Sequence, residues 1–225
     1  MNIYVTSAIT GLKEKLNAHV ALMNYRYINL CVKAELGSLL PVTVSAAGKE
    51  LNIEDVAQIA TPNEYQLDVY PKLNDYQQGI IEGIFDVHPE FKLEILQIES
   101  SDDKRDKHLL YTMPDVDKER YDLLNNMAKV FRDECNVDID KECALHTDSL
   151  PELTGKLTPE DIDEIKEVLE HTIGEFHDKT QELYEAKIGQ IEEAYMRYLE
   201  KGAEVVESSN EMDFSKGMRF DQMDS

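Results

Sequence analysis

Basic residues are scarce in this chain of 225 residues. Only 23 Lys and Arg stand against 46 Asp and Glu, which gives a formal net charge of -23. Such an excess of one sign keeps a protein soluble and opposes close approach to phosphate backbones. We therefore expect no binding to free nucleic acid.

Long apolar runs are also missing. No stretch approaches the ~20 apolar residues that span a bilayer, and Met1 to Leu12 lacks the basic start and apolar block of a signal peptide. The three cysteines, Cys31, Cys135 and Cys143, are an odd number, which argues against a disulfide framework. These absences predict a cytoplasmic protein without a membrane partner.

Motifs for catalysis and cofactor binding are absent as well: we find no phosphate-binding glycine loop, nucleophile elbow or catalytic pair of carboxylates. Cys135, Cys143 and His146 could ligate a metal, but a zinc site needs a fourth ligand. The segment from Asn136 to Glu142 alternates like the beginning of a calcium loop, yet Lys141 stands where glycine is required. No histidine has the Glu-x-x-His spacing of a di-iron bundle. We predict a protein that is not an enzyme and holds no metal or cofactor.

The stretch from Leu157 to Glu207 has the pattern of one long helix. Thr158 can cap its first turn, Pro159 suits the first helical position, and Asp161 completes a capping pair. At a rise of about 1.5 Å per residue this helix would be roughly 75 Å long, so it needs long partner helices to cover its apolar stripe. The stripe consists of Ile162, Ile165, Leu169, Ile173, Phe176, Leu183, Ile188, Ile191, Tyr195 and Tyr198.

Two earlier segments supply such partners. Residues 7–36 repeat apolar side chains at steps of three and four, and this pattern stops near Gly37 and Pro41. Pro114 and Asp115 begin the second partner helix. The apolar positions are Ile9, Leu12, Leu16, Val20, Met23, Tyr27, Leu30 and Ala34 in the first segment, and Val116, Leu124, Met127, Phe131, Cys135, Ile139 and Cys143 in the second.

Between these helices the periodicity changes from helical to alternating, which is typical of short β-strands. The predicted strands are Val42 to Val44, Val56 to Ala60, Tyr65 to Tyr70, Lys92 to Ile98 and His108 to Thr112, with one helix from Asp75 to Val87.

The sequence thus predicts an α+β fold, in which a long three-helix bundle carries a small, β-rich α+β domain inserted after the first helix. We assign residues 1–37 and 114–207 to the bundle and 38–113 to the inserted domain. The chain passes twice between the two, and these passages predict a hinge at Gly37, Pro41, Met113 and Pro114.

The end of the chain is polar and short of aliphatic residues. This composition predicts a disordered acidic tail over residues 208–225. An alternative is a docking motif, since Met212-Asp213-Phe214 and Met218-Arg219-Phe220 could fold on a partner. The acidic face of the long helix before it is expected to be solvated or, alternatively, to meet a basic partner.

Several stretches occur in a succession typical of one known family. They are Ser38-Leu39-Leu40, Val42-Thr43-Val44 with Gly48, Ile53 to Ile59, Tyr65 to Tyr70, the helix near Gln78 to Ile84, and the turn from Leu157 to Asp161. Over residues 10–205 the chain resembles ribosome recycling factor. The resemblance implies a translation factor that enters between the ribosomal subunits after termination and acts with a translocase GTPase.

The chain departs from that family where its members carry basic residues that face ribosomal RNA. The matching positions are Cys31 and Ala34 near the end of the first helix, and Asp140, Cys143 and Ala144 on the second. Each lost phosphate contact removes salt-dependent affinity. The resemblance therefore implies the fold more directly than the family's usual RNA contacts.

Two hypotheses follow. In the first, the protein is a recycling factor homologue that binds the ribosome through rebuilt contacts, for example with Lys13, Lys15, Arg26 and Lys33. In the second, it is a divergent paralogue that binds a basic protein through its acidic surface. Binding to ribosomes at low and moderate salt separates them.

Overall fold

The computed structural model describes residues 3–46, 48–99, 105–153 and 158–216. Three long helices enclose the first core, and the elements between the first two of them form a second core. The α+β fold predicted from the sequence is confirmed. In chain order the elements are α1 (Ile3–Asn29), β1 (Thr43–Ala46), β2 (Lys49–Asn52), α2 (Ile53–Val56), β3 (Ala57–Asn63), β4 (Gln66–Pro71), α3 (Gln77–Val87), β5 (Lys92–Glu99), β6 (Arg105–Thr112), α4 (Lys118–Leu153) and α5 (Pro159–Lys216).

The bundle core is built from one apolar stripe on each of α1, α4 and α5. The Tyr27 hydroxyl of α1 donates a buried 2.9 Å hydrogen bond to the Ala128 carbonyl of α4, which adds a polar tie within this apolar interface. Buried side chains occur at the predicted helical steps, so the phase of each helix follows its sequence pattern. They include Ile9, Leu12, Leu16, Val20 and Met23 of α1, Leu124, Cys135, Ile139 and Cys143 of α4, and Ile165, Leu169, Phe176 and Ile191 of α5.

The inserted domain contains two antiparallel sheets. Strands β1 and β2 form a hairpin, and the others form a four-stranded sheet in the order β3-β4-β6-β5. Leu109 of the central strand β6 lies opposite Val69 on one side and Ile95 on the other. Alternate residues of β4 and β6 are fully buried, and they share their core with Ile80 and Ile84 of α3. The period-2 pattern of the sequence reflects this one-sided burial.

Two glycines allow α3 to approach the backbone of β1. A Cβ atom at Gly79 would overlap the carbonyl oxygen of Ser45, and one at Gly83 would overlap that of Thr43. Any side chain at these positions would push the helix away from the strand.

The boundaries of several elements differ from the sequence-based expectation. Helix α1 ends at Asn29 rather than near Gly37, because the chain bends after it and buries its next apolar side chains in both cores. Helix α4 begins at Lys118, three residues after Asp115. The sequence pattern missed β2 and the single turn α2, which are too short to show a period.

Helix α5 continues to Lys216, beyond the predicted end at Glu207. Residues 208–216 are therefore helical in backbone, in contrast to the disordered tail expected there, whereas 217–225 lie outside the described residues. The segment Met212-Asp213-Phe214 is part of this helix, and Met218-Arg219-Phe220 is outside the described part of the chain.

Among the described residues, no helix combines the length and apolar content that crossing a bilayer requires. The domain limits proposed from the sequence stay a prediction.

Candidate functional site

The first crossing, residues 30–42 between α1 and β1, is anchored in both cores. Leu30 and Val32 are buried in the bundle core, whereas Cys31 and Ala34 are buried in the core of the inserted domain. The chain bends at Leu30, Val32 and Lys33, and these bends direct neighbouring side chains toward different cores. The crossing therefore connects the two parts by packing as well as by covalent continuity.

The second crossing, the segment between β6 and α4, is anchored in the same way. Met113 is buried in the core of the inserted domain and Val116 in that of the bundle. The turn between β3 and β4 holds both crossings, because the Ala34 N–H donates to the Glu64 carbonyl and the Met113 N–H to the Tyr65 carbonyl, each at 2.8 Å. The two crossings are thus fixed side by side.

Arg120, in the first turn of α4, ties the crossings together. Its guanidinium donates to the Pro114 carbonyl at 2.6 Å and to the Cys31 carbonyl at 2.8 Å, and Met113 Sδ lies 3.0 Å from Nη2. Burial lowers the pKa of Arg120, while the nearby Glu90 carboxylate opposes this shift. The arginine remains a cation at neutral pH and holds the junction from the bundle side.

A compact polar group lies beside Arg120, and we call it the Cys31–His88–Glu90 cluster. His88 is 1% exposed, and its Nε2 lies 2.8 Å from the Ser38 carbonyl oxygen. Its Nδ1 lies 3.1 Å from Glu90 Oε1. Cys31 Sγ, a His88 nitrogen and a Glu90 oxygen all lie within 4.8 Å of one another. The cluster connects the first crossing to the turn after α3.

The electrostatics of this cluster favour a charged His–Glu pair beside a neutral thiol. Burial lowers the pKa of His88, but hydrogen bonds to Glu90 and Ser38 outweigh it, so the pKa is raised overall. Burial raises the pKa of Glu90, but the hydrogen bond to His88 outweighs it and the pKa is lowered overall. Burial raises the pKa of the Cys31 thiol to about 11, against a hydrogen bond to Ser38 that lowers it.

A cavity of about 180 Å³ lies between α1, the first crossing and α5. Lys187 of α5 lines it and is only 7% exposed, with Nζ 3.3 Å from Gln190 Oε1. Burial lowers the pKa of Lys187, and Cys31 and Glu35 partly offset this effect. The junction therefore holds the buried Lys187 in addition to the half-buried Arg120.

The residues matched to the family's RNA-facing positions do not form one surface. Cys31, Ala34 and Cys143 are at most 5% exposed, so their side chains cannot reach a partner in this conformation. Asp140 and Ala144 are exposed on α4, and an Asp140 oxygen lies 3.1 Å from His177 Nε2. Only these two of the five predicted positions are therefore available for contact.

The four basic residues considered as rebuilt contacts are all ion-paired with carboxylates of other elements. Exposed pairs of this kind contribute little to stability and exchange readily, but each one neutralises a cation that RNA would need. The pairs are Lys13–Glu175 at 3.4 Å, Lys15–Glu142 at 2.9 Å, Arg26–Glu134 at 2.6 Å and Lys33–Glu64 at 3.0 Å.

The predicted hinge residues lie in the two crossings. Gly37 is within the 3-10 turn Leu36–Leu39 and Pro41 follows it, while Met113 is buried and the Pro114 carbonyl accepts a hydrogen bond from Arg120. These contacts describe one arrangement of the crossings, and the hinge motion stays a prediction.

Sequence reasoning missed His88, Glu90 and Arg120 as junction residues. No local motif marks them, because Cys31 and His88 are far apart in sequence and meet only through the fold. The cysteines that the sequence did offer for a metal, Cys135 and Cys143, are buried in the bundle core. The Val87-His88-Pro89-Glu90 turn was the available signal, since it places two polar side chains directly after an amphipathic helix.

Comparison with known proteins identifies the fold. A solution structure of the ribosome recycling factor superposes with a TM-score of 0.67 at 15% sequence identity, covering 86% of this chain and 100% of that chain. A second match is a model of the T. thermophilus ribosome recycling factor, with a TM-score of 0.51 at 16% sequence identity. It belongs to models of that factor and of E. coli elongation factor G bound to the E. coli post-termination complex. It covers 83% of this chain and 98% of that chain. A scan of protein-family models and a search of curated proteins found no match. At this level of identity the likeness shows the fold alone: the chain has a ribosome recycling factor-like fold.

Proposed function

We propose that this protein is a non-enzymatic translation factor that binds the ribosome after termination, with a translocase GTPase as its second partner. The observation that carries the proposal is the shared architecture, which extends over 86% of this chain and the whole of the compared recycling factor. The other compared recycling factor is described together with elongation factor G on a post-termination ribosome, and we transfer this setting to the present chain as part of the proposal.

The charge distribution constrains how such binding would occur. Lys13, Lys15 and Arg26 of α1 are exposed or half-exposed and remain available once their carboxylate partners are displaced. Because each of these three cations must first break an intramolecular ion pair to contact RNA, we propose binding with few phosphate contacts. Since the slope of log K against log salt is roughly -0.7 to -0.9 per phosphate, we expect a shallow salt dependence.

Neutralising either member of one ion pair tests which charge makes the contact. Lys15→Gln removes a cation and should weaken co-sedimentation with ribosomes at about 50 mM salt, whereas Glu142→Gln frees that cation and should strengthen it. Lys166→Gln, which neutralises an exposed lysine near Asp163 on α5, is the control for net charge. It should leave binding unchanged.

The opposite signs would favour the divergent paralogue that binds a basic protein through its acidic surface. In that case Glu142→Gln weakens binding and Lys15→Gln strengthens it. If the unaltered full-length protein does not sediment with ribosomes at either about 50 mM or about 200 mM salt, the proposed function is wrong.

A further inference from the structure

We propose that the Cys31–His88–Glu90 cluster is a binding site for a divalent transition-metal ion of the zinc type. Three different ligand atoms converge there: a thiol sulfur, an imidazole nitrogen and a carboxylate oxygen, all within 4.8 Å of one another. This mixture of sulfur, nitrogen and oxygen donors suits Zn²⁺ and disfavours Mg²⁺ and Ca²⁺, which prefer oxygen ligands alone.

The contact between His88 and Glu90 has the spacing of two ligands on one ion. Nδ1 and Oε1 are 3.1 Å apart. Tetrahedral zinc with bonds of about 2.0–2.1 Å to each would hold them about 3.3 Å apart. Both atoms carry lone pairs directed into the same space, so a positive group must lie between them. That group is either a proton or a metal ion.

The second nitrogen of His88 is placed as it is in ligating histidines. Its Nε2 donates to the Ser38 carbonyl at 2.8 Å, and Ser38 itself is fully buried. A backbone carbonyl at this position fixes the tautomer and leaves the Nδ1 lone pair for the ion.

Charge balance permits the ion despite the neighbouring cations Arg120 and Lys187. In the absence of metal, one proton lies between His88 Nδ1 and Glu90 Oε1, which are 3.1 Å apart, and the Cys31 thiol keeps its own proton. When a divalent ion binds, one proton leaves His88 Nδ1 and one leaves Cys31 Sγ, so the net charge of the cluster does not change. The sulfur, which otherwise donates to the Ile28 carbonyl at 3.2 Å, becomes the thiolate ligand.

The site would add a clamp at the domain junction. Cys31 belongs to the first crossing, whereas His88 and Glu90 follow α3 of the inserted domain, so one ion would join the two segments. Three protein ligands leave the fourth position of a tetrahedral ion for water or an external ligand. This inference does not depend on the proposed ribosomal function.

Cobalt(II) is the probe that tests this site, because it replaces zinc and absorbs light when bound to a thiolate. Full-length protein, stripped with a chelator, should bind one equivalent of Co²⁺ with a thiolate-to-cobalt charge-transfer band, and Zn²⁺ should abolish the band. Cys31→Ser should remove the band, and Glu90→Gln should weaken Co²⁺ binding because it removes the carboxylate ligand. Cys135→Ser, which alters a buried thiol in the bundle core, should keep both the band and the affinity.

Two results would overturn the inference. No charge-transfer band in the unaltered protein means that a proton alone bridges His88 and Glu90, and this measurement needs no variant. A band that persists in Cys31→Ser, with native circular dichroism, places the metal elsewhere. If Cys31→Ser does not fold, the melting temperature of the unaltered protein decides: Zn²⁺ should raise it and Mg²⁺ should not.

Discussion

The guanidinium of Arg120 donates a 2.8 Å hydrogen bond to the carbonyl oxygen of Cys31, although 89 positions separate them in the chain. The same side chain also bonds the Pro114 carbonyl. The first turn of α4 therefore fixes both chain crossings at once. Relative movement of the bundle and the inserted domain would have to break these bonds or carry both crossings along with α4.

Arg120→Ala should lower the free energy of unfolding by roughly 2–4 kcal/mol, because it leaves the part-buried carbonyls of Pro114 and Cys31 without their charged donor. Lys118→Ala, two residues earlier on α4, removes an exposed cation and should leave stability unchanged. Urea titration followed by circular dichroism measures both. Equal midpoints for Arg120→Ala and the unaltered chain would show that the junction does not depend on this arginine.

Gly83→Ala should destabilise the protein even though alanine is the better helix former by about 1 kcal/mol. The added methyl group meets the Thr43 carbonyl oxygen, and overpacking of this kind costs typically about 1–3 kcal/mol.

Gly174→Ala is the matched control, since nothing lies within 4 Å of a Cβ at that position of α5. It should stabilise the protein by about 1 kcal/mol. Thermal unfolding of the two variants should thus shift in opposite directions. A shift of Gly83→Ala toward higher temperature would mean that α3 does not approach β1 closely.

Lys187→Met should stabilise the protein at neutral pH by about 1 kcal/mol, because it replaces a buried ammonium group with an apolar chain of similar length. Because the pKa of Lys187 is lower in the folded protein than in the unfolded chain, its charge destabilises the fold at pH values below the folded pKa. This cost is lost as pH rises from the folded pKa to 10.5, the usual lysine value.

Urea titrations between about pH 7 and about pH 10.5 should therefore show that the advantage of Lys187→Met shrinks as pH rises. Lys179→Met, at an exposed position of the same helix, should show no such trend. A constant difference across this range would contradict a lowered pKa at Lys187.

Arginines at Asp140 and Ala144 should increase ribosome binding, since both positions are exposed on α4. Each new phosphate contact should steepen the salt slope by about one unit in co-sedimentation. Cys143→Arg would not restore an RNA contact, because the arginine side chain would enter the bundle core and should unfold the protein. Unchanged binding by the Asp140→Arg, Ala144→Arg double variant would show that this face of α4 does not meet RNA.

The fold was predicted well from the sequence where the apolar repeat extends over many helical turns. The stripes of α1, α4 and α5 extend over many turns, so burial of residues such as Leu16, Ile139 and Ile191 follows from spacing alone. The end of α1 was predicted too late, because Leu30 and Ala34 continue the helical step in sequence although they are buried in different cores. Only the presence of a core on each side of the crossing decides where the helix ends.

The junction could not be predicted in the same way. Cys31, His88 and Glu90 come from segments that the fold brings together, and no local spacing relates them. Family matching placed Cys31 at an RNA-facing position, whereas it is buried in the core of the inserted domain. A sequence match assigns a position along the chain, but the direction of the side chain depends on packing around it.

Binding of the unaltered full-length protein to post-termination ribosomes tests the central claim most directly. In co-sedimentation at about 100 mM salt, we expect binding to saturate near one copy per ribosome. An excess of free ribosomal RNA should not reduce this binding, because the protein carries a net charge of -23. Recovery of the protein in the supernatant at every ribosome concentration, or its release by a small excess of free RNA, would contradict the account.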